Sequence, residues 1–349
     1  MNKVLTRVLE QQKVNKPSAL LIAEVSANHN GDIERAEAII RAAADAGADA
    51  VKLQTYTPDT MTIPCDNDYF RIQGTLWEGR TLHDLYHEAQ TPWEWTPRLI
   101  GLAKELGMDC FSTPFDETAV DFLEECGVSR HKIASFELVD IPLLKKVAAT
   151  KKPVILSTGM ATLAEIDEAV RTLRENGTTD LTLLKCTSAY PAPPEEANLL
   201  TIPHMAAAFG CRVGLSDHTL DGAVAVGAVA LGAVMVEKHF TLSRDGGGPD
   251  DAFSVEPAAF AQMVRDIRIV EKSLGCVSYA LTEKETQSRI FRRSLFVVKN
   301  MKKGEAFTTD TVRSIRPGYG LHPHHLDNIL GKKTLRDIPA GHPLEWDMF

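Results

Sequence analysis

Long hydrophobic runs are absent from this sequence of 349 residues. No stretch approaches the roughly 18 consecutive apolar residues that a membrane-spanning helix needs, so we predict no membrane span. The first residues, MNKVLTRVLEQQKVNKPS, also lack the apolar centre of a secretory signal peptide. Both absences lead us to expect a cytoplasmic protein.

Paired cysteines are absent as well. The six cysteines, at positions 65, 110, 126, 186, 211 and 276, form no C-x-x-C motif and no paired spacing. Cys110, Cys186 and Cys211 lie in or beside apolar strand-like runs, where thiols usually pack as small core residues. This pattern favours reduced thiols in the cytoplasm over a disulfide framework, and a nucleophilic cysteine is the less favoured alternative.

Positive charge is scarce, because 38 lysines and arginines stand against 47 acidic residues, for a net charge of −9. Such a balance argues against a broad surface for nucleic acid or for an anionic membrane. An anionic small substrate would therefore need local lysines, arginines or a metal. The sequence also has no G-x-G-x-x-G after its first strand-like run, which disfavours a dinucleotide-binding sheet.

What the sequence does contain is one unit repeated eight times, an apolar run followed by a polar turn and an amphipathic helical stretch. The runs are 19–26, 50–55, 109–114, 131–136, 153–158, 181–187, 212–217 and 234–241. Apolar strands that alternate with helices indicate a parallel sheet covered on both faces. We predict a (β/α)8 TIM barrel over residues 1–276, with an open doubly wound sheet as the alternative.

After a helix predicted at 257–274 the composition changes. Residues 293–349 have short apolar runs, many Gly and Pro, and turn signals every few residues, which is typical of a small, mostly-β module. The polar segment 277–292 is the predicted linker. The total length agrees with this division, since single cores stop growing near ~250–300 residues.

Two histidines stand at the ends of the last two barrel strands. GLSDHT and VEKHFT each run a strand into a histidine, His218 and His239. Neighbouring strands lie about 5 Å apart, so both imidazoles can reach one divalent metal at about 2.0–2.2 Å. The alternative is a pair of ordinary core histidines, which the polar character of the other strand ends makes less attractive.

Hydroxyl and lysine side chains follow several of the other strands. In a TIM barrel the chemistry lies at the C-terminal ends of the strands. Ser135, Ser157 and Ser216, together with Lys132, suit a phosphate group, and Lys52 with Lys132 suits a neighbouring carboxylate. The alternative for each serine is a helix N-cap. The lysines are harder to explain structurally, because a lysine beside an apolar strand needs a partner.

Three carboxylates complete the predicted site. Glu24 and Glu137 follow the first and fourth strands, and either is a candidate general base. A salt bridge to Lys52 or Lys132 is the alternative role for each. The glycine-rich loop 244–254 lacks the ending of a phosphate-binding loop, so we interpret it as a lid that presents Asp250 to a hydroxylated substrate.

These motifs, in this order, resemble the sialic acid synthase family. The resemblance rests on NHNG, KLQTY, STPFD, KIASFE, STGMA, the Tyr-Pro after strand six, GLSDHT and VEKHFT, and covers nearly all of residues 19–346. The tail, with KKGEAF and RPGYG, is similar to the antifreeze-like (SAF) domain of that family. The resemblance implies an enzyme that condenses phosphoenolpyruvate (PEP) with an open-chain amino sugar, releasing phosphate.

Within the family, the chain is most similar to the branch that makes pseudaminic acid. EVSANHNG, KLQTYTPDTMT and the aromatic insertion at 56–95 carry this similarity. The sugar implied is 2,4-diacetamido-2,4,6-trideoxy-β-L-altropyranose in its open aldehyde form. The N-acetylneuraminate and legionaminate branches, which use other amino sugars, remain the alternatives.

The resemblance also implies roles for individual residues. Lys52, Thr113 and Lys132 would hold the PEP carboxylate, Ser135, Ser157 and Ser216 its phosphate, Gln54, Tyr190 and Asp250 the sugar, and His218 and His239 a metal. That metal would be Mn²⁺ or Mg²⁺, with Co²⁺ also possible. Arg316 would reach an acetamido group from the partner subunit, which implies a domain-swapped homodimer.

Two other functions remain open at this stage. A PEP aldol synthase that acts on a sugar phosphate would need a second phosphate pocket, and no spare arginine cluster is apparent for it. A carbohydrate- or ice-binding protein without catalytic activity is suggested by the tail alone. Release of phosphate from PEP and a sugar distinguishes the enzymes from the binding protein.

Overall fold

The computed structural model describes residues 18–74 and 77–349, and its main feature is a closed barrel of eight parallel strands in sequence order. The strands are β1 Leu20–Glu24, β2 Ala50–Thr55, β3 Asp109–Pro114, β4 His131–Ile133, β5 Val154–Ser157, β6 Leu181–Cys186, β7 Arg212–Asp217 and β8 Met235–His239. The predicted TIM barrel is confirmed. The predicted bounds of the second, third and seventh strands agree with the structure, and the other five strands are shorter than predicted. Residues 1–17, which include most of the segment compared with a signal peptide, lie outside the described residues.

Helices alternate with these strands and cover the outside of the barrel. They are α1 Ile33–Asp45, α2 Pro58–Met61, α3 Leu82–Ala89, α4 Thr96–Glu105, α5 Glu117–Glu125, α6 Ile141–Ala149, α7 Leu163–Glu175, α8 Thr201–Phe209, α9 Ala223–Ala230 and α10 Pro257–Leu274. Helix α10 has the bounds predicted from the sequence. Helices α2 and α3 belong to the insertion after β2. Within the described residues, none of the helices is long and apolar enough to cross a membrane.

Side chains on the barrel strands alternate between two apolar cores. The larger core lies between strands and helices and includes Leu21, Ala23 and Leu53. A separate cluster is formed by the intervening positions, namely Ile22, Ala50, Phe111, Ile155, Leu184 and Met235. Because successive strand residues point to opposite faces, this second cluster fills the barrel interior. The next inward positions towards the C-terminal ends of the strands are therefore free to carry polar groups.

The side-chain N-caps of the described α-helices are aspartates and threonines, and none is one of the three serines for which an N-cap was the alternative role. Asp32, Asp116 and Thr162 accept backbone N–H groups at the starts of α1, α5 and α7. Ser135 precedes a short 3₁₀ helix, Phe136–Val139, but makes no side-chain cap hydrogen bond. Ser157 is the last residue of β5 and Ser216 lies within β7. The N-cap alternative thus does not account for any of these three serines.

The second compact unit comprises residues 276–349. It contains α11 Glu283–Ser288, the antiparallel strands β9 Ser294–Val297 and β10 Val312–Ile315, and α12 Leu326–Ile329. Isolated bridges such as Met301↔Ile338 extend the β structure, and Phe307 and Leu344 lie in its small core. The segment predicted as a linker holds α11, which begins with a Thr282 and Glu285 capping box.

Candidate active site

The inward positions above the apolar layer form a polar cluster at the C-terminal end of the barrel. Register places Glu24 of β1 opposite Lys52 of β2 and His239 of β8, while Glu237 of β8 lies opposite Ser216 of β7. All five side chains are buried or nearly so. The barrel closes between β1 and β8, and this closure brings the two ends of the repeat together.

Lys52 is held by groups from three strands. Its Nζ lies 2.7 Å from Glu24 Oε2 and 3.6 Å from Glu237 Oε1, and it donates a hydrogen bond of 3.1 Å to Thr113 Oγ1. The salt bridge weighed for Glu24 in the sequence is therefore present. Burial opposes the charge of Lys52, but Glu237 and Glu24 outweigh it and raise its pKa. Lys52 is a fixed cation.

Lys132 is the second buried lysine of the cluster. Its Nζ donates to Ser157 Oγ at 2.7 Å and to the carbonyl of Ile133 at 3.2 Å, and it lies 3.7 Å from Glu237 Oε1. Burial lowers the pKa of Lys132, with Glu237 opposing this effect. Glu237 thus stands between the two lysines, each of which also binds a hydroxyl predicted to contact PEP.

The carboxylates of the cluster differ in charge. Burial disfavours ionisation of Glu237, but Lys132 and Lys52 prevail and lower its pKa. Burial raises the pKa of Glu24 to about 7, although Lys52 opposes it. Two lysines therefore face one firmly ionised carboxylate and one carboxylate that titrates near neutrality. A site of this composition favours an anionic ligand.

Ser135 lies against the loop that follows β5. The backbone N–H of Gly159 donates to Ser135 Oγ at 3.0 Å. A Cβ at position 159 would lie 2.8 Å from Ser135 Oγ, 3.2 Å from Cys186 Sγ, and closer still to Ser188 Oγ. Gly159 is therefore the residue that lets these small polar side chains approach the main chain.

The two predicted metal ligands lie side by side. The ring centroids of His218 and His239 are 5.4 Å apart, and His218 Nδ1 contacts the carbonyl oxygen of Thr187 at 2.8 Å. The Tyr190 ring packs against both histidines, with centroids 4.3 and 6.0 Å away. Burial lowers the pKa of His239 well below its ordinary value, which keeps its ring in the neutral form that metals bind.

The chemistry of the pair fits a divalent cation. His239 Nδ1 is buried and has no hydrogen-bond partner among the described residues. Within the same residues, no group of three or more His, Cys, Asp or Glu side chains is arranged to hold a metal. Two imidazoles from neighbouring strands therefore suit a cation whose remaining positions are filled by water and substrate.

On the β1 side of the cluster, Gln54 and Asp250 are connected through Ser26. Gln54 Nε2 donates to Glu24 Oε1 at 3.1 Å and to Ser26 Oγ at 3.3 Å. The Ser26 hydroxyl donates to the Asp250 carboxylate, which also accepts the N–H of Ala27 at 3.4 Å. The loop that carries Asp250 is thus bound to the end of β1.

An aromatic cluster lies above the polar layer. Tyr56 and Phe115 are two residues beyond Gln54 and Thr113, and so continue the inward faces of β2 and β3. The Tyr56 ring makes edge contacts with Tyr86 and Phe115, at centroid distances of 5.7 and 5.3 Å. This wall, Tyr56 with Tyr86 and Phe115, joins the insertion after β2 to the barrel mouth.

Two predicted residues lie apart from these contacts. Glu137 is in the 3₁₀ helix after β4, and its buried Oε2 has no hydrogen-bond partner among the described residues. Burial raises the pKa of Glu137 to about 7. Arg316 is exposed in the second unit, immediately before the cis Arg316–Pro317 peptide bond.

Sequence reasoning passed over Glu237 and Ser26. The alternation of side chains along β8 was a signal that could have identified Glu237. If His239 points into the barrel, the residue two positions earlier points there too, so Glu237 belongs to the site and Lys238 does not. Ser26 carried no comparable signal, because its contact with Asp250 depends on a loop far along the chain.

Fold and site together define a TIM-barrel enzyme class in which lysines, hydroxyls and a histidine pair share the C-terminal mouth. The chain belongs to the NeuB family, whose sequence profile matches residues 39–279, and the SAF domain profile matches residues 292–349. The family predicted from the motifs and the SAF module predicted from the tail are confirmed.

Individual relatives are similar over nearly their whole length. Pseudaminic acid synthases of Helicobacter pylori and of Campylobacter jejuni are each 44% identical to this chain. The H. pylori alignment covers 94% of this chain and 96% of the relative. The C. jejuni alignment covers 93% of this chain and 95% of the relative. The N,N'-diacetyllegionaminic acid synthase of C. jejuni is 38% identical, over 90% and 95%. The crystal structure of a Bacillus subtilis spore coat polysaccharide biosynthesis protein superposes with a TM-score of 0.64, at 35% identity, over 97% of this chain and 98% of that one.

Proposed function

We propose that this chain is a pseudaminic acid synthase, a transferase that condenses PEP with 2,4-diacetamido-2,4,6-trideoxy-β-L-altropyranose and releases phosphate by C–O cleavage. The observation that carries the proposal is the pairing of two buried lysines, each bound to a hydroxyl, with two histidine rings at one barrel mouth. The 44% identity to pseudaminic acid synthases supports the sugar. The N-acetylneuraminate and legionaminate branches are the alternatives.

PEP binds between the lysines in this proposal. Lys52, Thr113 and Lys132 hold its carboxylate, and the hydroxyls of Ser135, Ser157 and Ser216 bind its phosphate. The hydrogen bonds of Lys52 with Thr113 and of Lys132 with Ser157 support this assignment, because donors already fixed in place lose little freedom on binding. The negative overall charge of the chain leaves these lysines as the local attraction for a trianionic substrate.

His218 and His239 would hold a divalent metal, with Mn²⁺ or Mg²⁺ favoured and Co²⁺ possible. When bound, such a metal polarises the aldehyde oxygen of the sugar as a Lewis acid. The protein contributes ring orientation, through the Thr187 carbonyl and the Tyr190 ring, and a neutral His239. These contacts hold both imidazoles beside the lysine cluster.

Gln54, Tyr190 and Asp250 bind the sugar in this proposal. The ring faces of Tyr56, Tyr86 and Phe115 support a sugar whose carbon 6 is a methyl group, because aromatic rings offer that group an apolar contact surface. Gln54 and Asp250 offer the amide and carboxylate that the remaining polar groups need. The aromatic insertion thus favours a 6-deoxy sugar over N-acetylmannosamine, and the identity of 44% against 38% favours the pseudaminate branch over the legionaminate branch.

Carbon 3 of PEP attacks the aldehyde carbon, and water adds at carbon 2 of PEP. The C–O bond to phosphate then breaks as carbon 2 becomes a carbonyl, and the two protons of the water end on the new hydroxyl and on phosphate. Glu137 takes the proton of that water, with Glu24 as the alternative base. Both carboxyls have a pKa near 7 because of burial, and a base is most effective near the working pH. Glu137 is favoured, because Glu24 is already engaged by Lys52 and Gln54.

The active unit is a domain-swapped homodimer in this proposal, with Arg316 of the second unit contacting an acetamido group in the partner's barrel. Exposed apolar side chains in the segments that follow β4 and β5 support a covering partner, namely Phe136, Val139, Met160 and Leu163. A rim of this kind around a site marks a surface for association. All six cysteines are free, in agreement with the proposed cytoplasmic location.

The test is product identification. Purified protein is incubated with Mn²⁺, PEP and a panel of sugars that includes the altrose derivative, N-acetylmannosamine and the diacetamido sugar of the legionaminate branch. We expect the altrose derivative to be the best substrate of the panel. It should give the fastest phosphate release and a nonulosonic acid detectable by mass spectrometry. With ¹⁸O at the bridging oxygen of PEP, C–O cleavage leaves the label in phosphate.

Two variants serve as controls. His218→Ala and His239→Ala are expected to lower metal-dependent turnover by at least about 100-fold, since Lewis-acid assistance contributes several kcal/mol, while circular dichroism stays unchanged. Sugar binding without phosphate release would instead support the non-catalytic carbohydrate-binding alternative. Full activity in either variant would remove the metal from the proposal.

A further inference from the structure

A fully buried ion pair lies directly behind the two histidines. Asp217 is the last residue of β7 and Lys238 is the fourth residue of β8, and the two are register partners. Their side chains point to the outer face of the barrel wall, because the neighbouring positions Ser216, Glu237 and His239 point inward. Lys238 Nζ lies 2.8 Å from Asp217 Oδ2, and both side chains are at most 2% exposed.

The pair also binds the turn that carries His218. Asp217 Oδ1 accepts the N–H of Thr219 at 3.0 Å and its hydroxyl at 2.8 Å. Lys238 Nζ donates to the carbonyl oxygen of Thr219, and the Thr219 hydroxyl also donates to the carbonyl of Asp221 at 3.2 Å. His218 is therefore flanked on both sides by residues that this ion pair fixes.

The same ion pair reaches the second histidine through the main chain. Lys238 immediately precedes His239, so its anchored side chain fixes the strand at the position where the His239 ring begins. A buried ion pair is costly to desolvate and is weak evidence for stability by itself. Its placement, one residue from each ring and bridging the two strands, gives it a geometric role instead.

We propose that Asp217 and Lys238 are positioning residues that set the separation and orientation of His218 and His239 for the divalent metal. The inference rests on the proposed function, in which these histidines hold that metal. Groups that orient metal ligands typically change metal affinity by about 10- to 100-fold when they are replaced. The pair acts from the outer face of the wall and touches neither substrate nor metal.

The test measures Mn²⁺ affinity of the metal-free protein by isothermal titration calorimetry, and PEP affinity separately without metal. Single variants leave one buried charge unpaired and risk unfolding, so the informative variant is the neutral double variant Asp217→Asn/Lys238→Met. We expect its dissociation constant for Mn²⁺ to rise by about tenfold or more, with PEP affinity and melting temperature close to wild type.

A control variant removes a more exposed ion pair elsewhere on the barrel. Arg268 Nη2 lies 2.7 Å from Asp49 Oδ2 and joins α10 to the start of β2, at the end of the strands opposite the histidines. The double variant Arg268→Met/Asp49→Asn is expected to retain wild-type Mn²⁺ affinity whatever its stability.

Two results would overturn the proposal. Wild-type Mn²⁺ affinity in Asp217→Asn/Lys238→Met would show that the pair does not position the histidines. Equal losses of Mn²⁺ affinity and PEP affinity, following a loss of stability, would show a structural role alone. Failure of the wild-type protein to bind Mn²⁺ is a different outcome, because it would count against the metal role in the proposed function.

Discussion

Glu237 is the side chain that links the two lysines of the site. Its Oε1 lies 3.6 Å from Lys52 Nζ and 3.7 Å from Lys132 Nζ, a spacing wider than that of a direct hydrogen bond. Glu237 thus attracts both lysines without a direct hydrogen bond to either, and the direct carboxylate partner of Lys52 is Glu24, at 2.7 Å. In the proposed function, the carboxylate and phosphate of PEP become further partners of the two lysines, which would account for the binding of a trianionic substrate by an acidic protein.

Glu137 gives a residue-scale prediction. Replacing it by glutamine removes the proposed base, and kcat is expected to fall by about 100-fold or more, measured by phosphate release. Wild-type activity in Glu137→Gln together with an inactive Glu24→Gln would assign the base to Glu24 instead.

The same variant changes how stability depends on pH. The pKa of Glu137 rises from 4.5 to about 7 in the folded protein, so between these values the folded chain keeps a proton that the unfolded chain has lost. Stability of the wild type therefore falls as pH rises through this window. Glu137→Gln lacks this contribution. Its free energy of unfolding in urea, minus that of the wild type, is therefore expected to increase from pH 5 to pH 8. A pH-independent difference would contradict the burial of the carboxyl.

At the scale of elements, strand ends and the loops after them form the functional units. The fourth strand shows why sequence bounds fail there. HKIASF was predicted as one strand, but β4 ends at Ile133 and the chain enters the 3₁₀ helix that carries Glu137. The run is apolar enough for a strand throughout. The strand ends where its pairing with the neighbouring strands ends. Only His131 pairs with β3, and the last pair with β5 is that of Ile133.

The loop after β5 gives an element-scale prediction. Gly159→Ala places a methyl group against Ser135, Ser188 and Cys186, which displaces the Ser135 hydroxyl, one of the three proposed to bind phosphate. The KM for PEP is expected to rise by about tenfold, equivalent to one lost hydrogen bond of about 1.4 kcal/mol, with little change in the KM for sugar.

Gly101→Ala is the matched control for that loop. Gly101 lies within α4, where an added Cβ would have no atom within 4 Å outside the backbone of the helix itself. Alanine there is expected to leave kinetics unchanged and to stabilise the helix by up to about 1 kcal/mol. Wild-type PEP kinetics in Gly159→Ala would contradict the proposed phosphate position.

At the scale of the whole molecule, the chain consists of two compact units, and proposed active-site groups lie in both. His218 belongs to the barrel unit and Arg316 to the second unit. In a domain-swapped dimer, each active site takes its histidines from one chain and its arginine from the other. This arrangement can be tested without knowing the shape of the dimer.

The whole-molecule prediction uses subunit mixing. Arg316→Ala is expected to raise the KM for sugar by about tenfold, as for a lost charge-assisted hydrogen bond, while the KM for PEP stays unchanged. His218→Ala and Arg316→Ala chains are then mixed after partial unfolding and assayed at low sugar, where His218→Ala alone is nearly inactive and Arg316→Ala alone retains about a tenth of wild-type activity. About a quarter of wild-type activity is expected, because half of the dimers are mixed and each has one intact site. No gain over the separate variants would contradict sharing between chains.

The sequence by itself determined the element order, the eight-stranded barrel, the small β module and which side chains stand at the strand ends. Apolar periodicity and turn residues are local patterns, so they can be recognised from the amino-acid sequence alone. Only the tertiary structure decided which of those side chains meet. Glu24 and Lys52 meet because the neighbouring strands β1 and β2 pair in register. The place of Glu237 of β8 between Lys52 and Lys132 depends on closure of β1 against β8. That contact joins residues far apart in the chain, and no local pattern encodes it.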